Sequence, residues 1–198
     1  MPTLKPAPTT QPLADNIQQR WSPRAFDPAR AISEDSLTAL MEAAHWAPSC
    51  MNEQPWRYML ADKHRHPDSW QRLLGCLVEK NQLWAQQAPL LILAASVTHF
   101  NNSDKTNPWA AYDTGASAQN LALQATALGL VTHSMGGFDK TKLQQQFALP
   151  ADIIPWAVIA VGYQASADSL NDEFRQKELA ERQRSALASR FYLGSWPG

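Results

Sequence analysis

The chain has 198 residues, 44% of them hydrophobic, and a formal net charge of -1, which is enough for one compact domain with a sizeable core. So balanced a charge argues against a nucleic-acid groove or an anionic membrane surface as partner. The longest apolar run, Ala88 to Val97, is about half of what spans a bilayer. Two cysteines without a CxxC and five histidines without an HExxH pair give no signature of a disulfide framework or a metal centre.

The opening MPTLKPAPTTQP has neither the basic start nor the apolar stretch of a secretory signal. It reads as a flexible arm (1–12) ahead of a single domain (13–198) in a soluble, cytoplasmic protein. Leu13 to Arg20 can form a short helix that runs into RWSPRAFDP. Ser33 then caps a stronger helix, with Glu34 and Asp35 in its first turn. Leu37, Leu40, Met41 and Ala44 supply its buried stripe, and Pro48 stops it. The segment APSCMNEQPW follows, and Trp56 to Ala61 alternates like a strand.

Asp68 to Leu77 is predicted as an amphipathic helix with Trp70, Leu73, Leu74 and Leu77 inward. Pro89 opens PLLILAASV, a continuous apolar strand buried on both faces. The loop NNSDKTNP leads to a long helix from about Trp109 to Leu128, with Gly129 as its stop. Leu130 to Ser134 is a short strand, and Met135-Gly136-Gly137 turns the chain. Asp139 caps another helix ending near Pro150, and Trp156 to Gly162 is the last clear strand. From Asp172 the tail is charged and helical, ending in FYLGSWPG. Few strands with large helices between them suggest an α+β or mixed-sheet layer.

No glycine pattern forms GxGxxG or a P-loop, and there is no GxSxG elbow. What remains is a set of anion- and amide-rich loops. Arg20, Ser22 and Arg24 stand at alternate positions, so in an extended segment they share a face. Two guanidinium forks around a hydroxyl suit a phosphate dianion, although a solvated basic turn has the same composition. Ser49, Asn52 and Gln54 offer donors and acceptors to the edge of a planar heterocycle, or satisfy their own turn. Consecutive glycines at 136 and 137 let backbone N–H groups approach a ligand, or simply turn the chain. Together these loops describe a site for one phosphate and one flat polar ring, the shape of FMN, a cofactor that would carry the redox chemistry itself.

Four collinear segments then resemble the FMN-dependent nitroreductase family over nearly the whole chain. They are RWSPRAFDP, APSCMNEQPW, DTGASAQNLALQATALGLVTHSMGGFD and ERQRSALASRFYLGSW. The resemblance implies an α+β fold with a mostly antiparallel central sheet flanked by helices, in an intertwined homodimer with two flavin sites in its interface. It implies that Arg20, Ser22 and Arg24 hold the phosphate and ribityl end near the ring's pyrimidine edge, and that Arg182 and Arg184 form a second basic pair at the phosphate. Pro48, Ser49, Cys50, Asn52 and Gln54 would contact the flavin, largely from the neighbouring subunit. Asn81 would lie near the ring and ribityl chain. Met135, Gly136 and Gly137 would bring a backbone N–H to flavin N5, the atom that receives hydride, so no side chain is expected to be catalytic.

The sequence departs from the family in places. Cys50 stands where Ser or Ala is frequent, Trp84 where some relatives have a lysine, and Gly136 where some have an acidic residue. The implied activity is an NAD(P)H-dependent oxidoreductase of the nitroreductase type. NADH or NADPH would be the transient donor, and a small electron-poor acceptor such as a nitroaromatic or quinone would follow it into one cleft by ping-pong kinetics. His133 and Trp109 could line that cleft or serve packing. A dehalogenating or flavin-fragmenting enzyme of the same fold, or a flavin-binding sensor without turnover, remains an alternative.

Overall fold

The protein is described here by a computed structural model that covers residues 3–197. In chain order its elements are α1 (Asp15–Gln19), α2 (Glu34–His45), β1 (Trp56–Asp62), α3 (Pro67–Cys76), α4 (Glu79–Ala85), β2 (Leu90–Val97), α5 (Ala110–Ala127), β3 (Val131–Met135), α6 (Lys140–Phe147), β4 (Ile153–Gly162) and α7 (Asp172–Leu179). The four strands form one sheet in the order β1-β2-β4-β3, and each neighbouring pair is antiparallel.

β2 explains why helices cover both faces. Its side chains alternate, as strand geometry requires, yet nearly every one is buried. Leu91 and Leu93 pack with Trp70 and Leu73 of α3, Trp84 of α4, Leu143 of α6 and Phe174 of α7. Leu90, Ile92 and Ala94 pack with Leu40 and Ala44 of α2 and with Leu121 and Ala125 of α5. The result is a three-layer α+β sandwich, in agreement with the expected fold class.

The strand register fixes the distance between the two ends of the sheet. Trp56 lies opposite Ser96 and Ser96 opposite Ile154. Beyond the other end of β4, Phe26 bridges Gln164. That ten-residue course, at about 3.3 Å per residue, separates the start of β1 from the Phe26 segment by about 30 Å.

Several elements differ from expectation. α4 was not foreseen: it is short and has no side-chain cap. Met41 is 46% exposed rather than part of the buried stripe. α6 stops at Phe147, before Pro150, where Ala148 turns left-handed at φ 47. β4 starts earlier than Trp156 and tolerates Pro155 at a bulge: Ala94 pairs with Ala157 but Ala95 with Pro155, leaving Trp156 as the extra residue. A proline has no N–H to give the ladder, and a bulge is where that costs least.

The described part of the N-terminal arm has no regular structure but is tied to the body. Ala7 N donates to Gln18 O at 2.7 Å, and Lys5 Nζ donates to the main-chain oxygens of Glu178 and Ala180. Among the described residues no helix is long and apolar enough to cross a membrane.

Candidate functional site

The first candidate loop enters the fold between α1 and the Phe26 bridge. Arg20 Nη1 donates to Ser22 Oγ at 3.4 Å. The Arg24 guanidinium lies over Trp84 at 5.9 Å and Phe174 at 6.0 Å, which restrains a long side chain between two aromatic faces. The loop's backbone is held from below. Arg24 N and Ala25 N donate to the two carboxylate oxygens of Glu178, at 2.8 and 3.3 Å. Glu178 is fully buried, and burial pushes its carboxyl above the usual carboxylate range.

The C-terminal basic pair reaches the same corner. Burial lowers the Arg20 guanidinium's proton affinity, and the nearby Arg184 charge lowers it further. Arg182 is affected in the same way, by burial and then by Arg20 and Arg184. One guanidinium nitrogen of Arg182 is already engaged, donating to Lys5 O at 2.7 Å and Gln18 O at 3.1 Å. Among the described residues, none of Arg20, Arg24, Arg182 or Arg184 makes a salt bridge. Four guanidiniums gathered around the one buried carboxylate of Glu178, without a direct salt bridge, leave an excess of positive charge, the electrostatic shape of an anion site.

His133 of β3 braces this corner. Its Nδ1 lies 3.0 Å from Pro23 O, so that nitrogen carries the hydrogen that the carbonyl accepts. Its ring tilts against Trp84 at 4.5 Å. Burial, with Arg24 next, lowers its pKa to about 4; it is a neutral packing residue. Trp84, on the sequence a position beside the flavin, is 1% exposed and stacks on Phe26 at 6.2 Å. It is a core residue beneath Arg24.

Further along β3, Met135 is buried in the core, so only its backbone can face a ligand. Gly136 is exposed, and a Cβ there would meet nothing within 4 Å. Gly137 is different: a Cβ would lie 2.9 Å from Asn81 Nδ2 and 3.0 Å from Val78 Cγ2. Asn81 Nδ2 donates to Gly137 O at 3.2 Å, and Val78 N to the same oxygen at 3.0 Å. Asn81 thus fixes the path of the glycine turn, which needs glycine for close packing rather than for a left-handed φ.

The amide-rich turn stands at the other end of the sheet. Met51, Asn52 and Gln54 have φ of 51°, 57° and 46°, a left-handed conformation that costs non-glycine residues about 1–2 kcal/mol each. Asn tolerates it; Met and Gln do not. The surroundings enforce it. Ser49 Oγ accepts from Gln54 N at 3.0 Å, and Asp113 Oδ2 on α5 accepts from Cys50 N at 3.1 Å. Asn101 donates to Glu53 from its backbone and its side chain. The Asn52 and Gln54 side chains are consequently presented outward, with Gln54 Nε2 bonded to Asn52 O at 3.0 Å. A hollow of about 290 Å³ beside the turn is lined by Pro48, Ser49, Cys50, Trp109, Tyr112, Asp113 and Ala116.

Arg20, Ser22, Arg24, Arg182 and Arg184 are therefore brought together, and Asn81 lies with Gly137. Pro48 to Gln54 lie about 30 Å from the arginine loop across the same sheet, by the strand spacing. Glu178 and Asp113, the two buried carboxylates that hold these loops, escaped the sequence reading. The signal in each case was an acidic residue on a helix face otherwise buried: Glu178 stands four positions after Phe174, and Asp113 shares its face with Ala110 and Ser117.

Known proteins give this arrangement a context. The model of the nitroreductase family matches residues 17–163. A solved structure described as the oxidoreductase containing FMN superposes with a TM-score of 0.89 at 32% identity, covering 96% of each chain. Protein DrgA of Synechocystis sp. is 31% identical over 179 residues, 75% of this chain and 82% of that protein. The major NAD(P)H-flavin oxidoreductase of Aliivibrio fischeri is 31% identical over a shorter stretch of 65 residues, 31% of this chain and 30% of that one. With a family match that spans α1 through β4 and a full-length structural likeness, this chain belongs to the nitroreductase family.

Proposed function

We propose that the protein is an FMN-dependent oxidoreductase that takes electrons from NADH or NADPH and passes them to small electron-poor acceptors such as nitroaromatics or quinones. The observation that carries this reading is the group of four guanidiniums with no salt-bridge partner among the described residues. A phosphate monoester supplies the missing negative charge and enough acceptor oxygens for several forks. The open space at Gly136 fits a flat ring laid against β3. FMN, when bound, supplies hydride-transfer chemistry at its ring nitrogen N5.

This chain's own residues then have distinct tasks. Arg20, Ser22, Arg24 and Arg184 grip the anionic end, while Arg182, partly spent on backbone carbonyls, closes the corner. His133, neutral, presses the loop onto β3. Gly136 and Gly137 offer backbone to the ring, with Asn81 fixing their path. No side chain needs to move a proton at the turn.

The second half of the site comes from another copy of the chain. One chain cannot close a ligand between loops about 30 Å apart. Met51 in the strained turn and Trp46 and Tyr112 nearby, 82%, 79% and 77% exposed, give it apolar surface of the kind obligate dimers bury. The tail adds Phe191, Leu193 and Trp196, also exposed. We take residues 13–198 as one domain, with 1–12 as its arm, in a homodimer with two flavin sites.

The test is spectroscopic. Purified protein is expected to be yellow or to turn so on titration with FMN, and anaerobic NADH or NADPH is expected to bleach it within the turnover time. Failure to bind FMN removes the reading. Binding without bleaching leaves a flavin sensor. Parallel double-reciprocal lines with donor and acceptor varied would support a shared cleft.

A further inference from the structure

Glu178 does more than fill space at the end of α7. Its carboxylate is fully buried and makes no salt bridge among the described residues. Desolvating an ionised carboxylate is costly unless hydrogen bonds replace its water. Here they do: each oxygen accepts one backbone N–H, from Arg24 at 2.8 Å and from Ala25 at 3.3 Å. A glutamine of the same shape has one acceptor and would turn an NH2 group toward the second N–H. Packing alone, in the gap beside Phe174, does not require a carboxylate.

The main chain at this position is used as well. Lys5 Nζ donates to Glu178 O at 3.0 Å and also to Ala180 O. Arg182, four residues on, donates to Lys5 O at 2.7 Å and Gln18 O at 3.1 Å. Gln18 precedes the loop that carries Arg20, Ser22 and Arg24. The segment 178–182 is therefore laced to both ends of that loop, with Lys5 and Arg24 the charged groups that act on the Glu178 carboxylate.

From this we propose that Glu178 is the positioning residue of the anion cradle. It holds the Arg20–Arg24 loop and the tail that bears Arg182 and Arg184 in one register, so that guanidiniums far apart in sequence converge on one phosphate. Its negative charge, inside a cluster of cations, also lets those cations gather before a ligand arrives. This rests on the FMN reading for the identity of the phosphate, but the loop's anchoring does not.

Comparing FMN with riboflavin isolates the phosphate, because the two differ only there. In the full-length protein, Glu178→Gln is expected to weaken FMN about 10- to 100-fold, the effect of losing a hydrogen bond to a charged group, while riboflavin affinity stays within about twofold. In an Arg20→Ala, Arg24→Ala background the same change is expected to cost clearly less than in the wild type, the remainder acting through Arg182 and Arg184, and an undiminished loss there would overturn the proposal. Equal losses for both flavins, or an unchanged FMN affinity, would overturn the proposal. Backbone amide exchange in the wild-type protein without flavin gives an arm that needs no variant. Arg24 and Ala25 are expected to exchange slowly, and exchange at the rate of an open loop would overturn the anchoring. A wild-type protein that binds neither flavin, with those amides still protected, would instead remove the FMN reading and leave the anchor in place.

Discussion

The two ends of the sheet solve the same problem with different materials. At the β3 end, a loop of arginines is held by the buried carboxylate of Glu178, which accepts N–H groups from Arg24 and Ala25. At the β1 end, a loop of amides is held by the buried carboxylate of Asp113, which accepts from Cys50 N. What each end stores differs. The arginine end stores an excess of positive charge that Glu178 only partly offsets; the amide end stores backbone strain at Met51, Asn52 and Gln54. Charge grips an anion at range and is screened by salt, whereas a strained turn presents short polar groups at fixed positions and is nearly indifferent to salt. A cofactor with a charged tail and a neutral, hydrogen-bonding ring calls for one of each.

The largest expected effect belongs to the arginine end. His133 has a pKa of about 4 in the folded protein against an ordinary 6.5, because burial and Arg24 oppose its charge. Above pH 6.5 both folded and unfolded chains hold it neutral. Between 6.5 and 4 only the unfolded chain takes the proton, so stability falls with pH across that window by at most about 3 kcal/mol. His133→Phe keeps a ring against Trp84 and is expected to flatten urea-unfolding free energies between pH 7 and pH 4.5. An unaltered slope would assign the acid sensitivity elsewhere.

Arg20→Ala or Arg24→Ala comes next, with about 1.5–3 kcal/mol lost in FMN affinity, read by quenching of flavin fluorescence. The loss is expected to shrink at high salt, as the wild-type affinity itself falls. A salt-independent deficit in both variants would mean that the phosphate is held elsewhere.

Asp113→Asn probes the opposite end. It keeps an acceptor for Cys50 N but removes the charge, so about 1 kcal/mol of unfolding free energy is expected to go, with no salt dependence. The smallest effect is expected from Met51→Gly. Glycine adopts φ of 51° without the penalty paid by methionine, so thermal stability should rise by about 1 kcal/mol less the entropy that glycine adds to the unfolded chain. A drop in stability would mean that Met51 gains more from its surroundings than its backbone loses.

Much of this was legible in the sequence where the signal is local. Ser33 and Asp139 announce their helices by side-chain caps that the structure repeats, accepting from Ser36 N and Lys142 N. The buried faces of α3 and β2 follow directly from residue spacing. Gly129, at φ 71, ends the long helix for the conformational reason read from its position. Non-local restraints were invisible. Glu178 is 154 residues from Arg24, and Asp113 is 63 from Cys50; no periodicity marks either as a loop anchor. α4 was missed because seven residues with no side-chain cap carry too little pattern, and its helix is fixed by burial of Trp84 and Ala85. Met41 matched the apolar stripe of α2 in spacing but is 46% exposed.

Subunit complementation tests most directly the idea that both ends of the sheet meet on one flavin. Arg20→Ala carries an intact amide turn and Ser49→Ala, Asn52→Ala an intact arginine loop; each homodimer alone has two damaged sites. Co-expressed with different tags and purified as the mixed dimer, they should form one undamaged site and one doubly damaged site. The expected result is one tightly bound FMN per mixed dimer, with wild-type affinity and wild-type reduction by NAD(P)H at that site. Two equally weakened sites, or none, would contradict a cofactor shared between the arginines of one chain and the strained turn of the other.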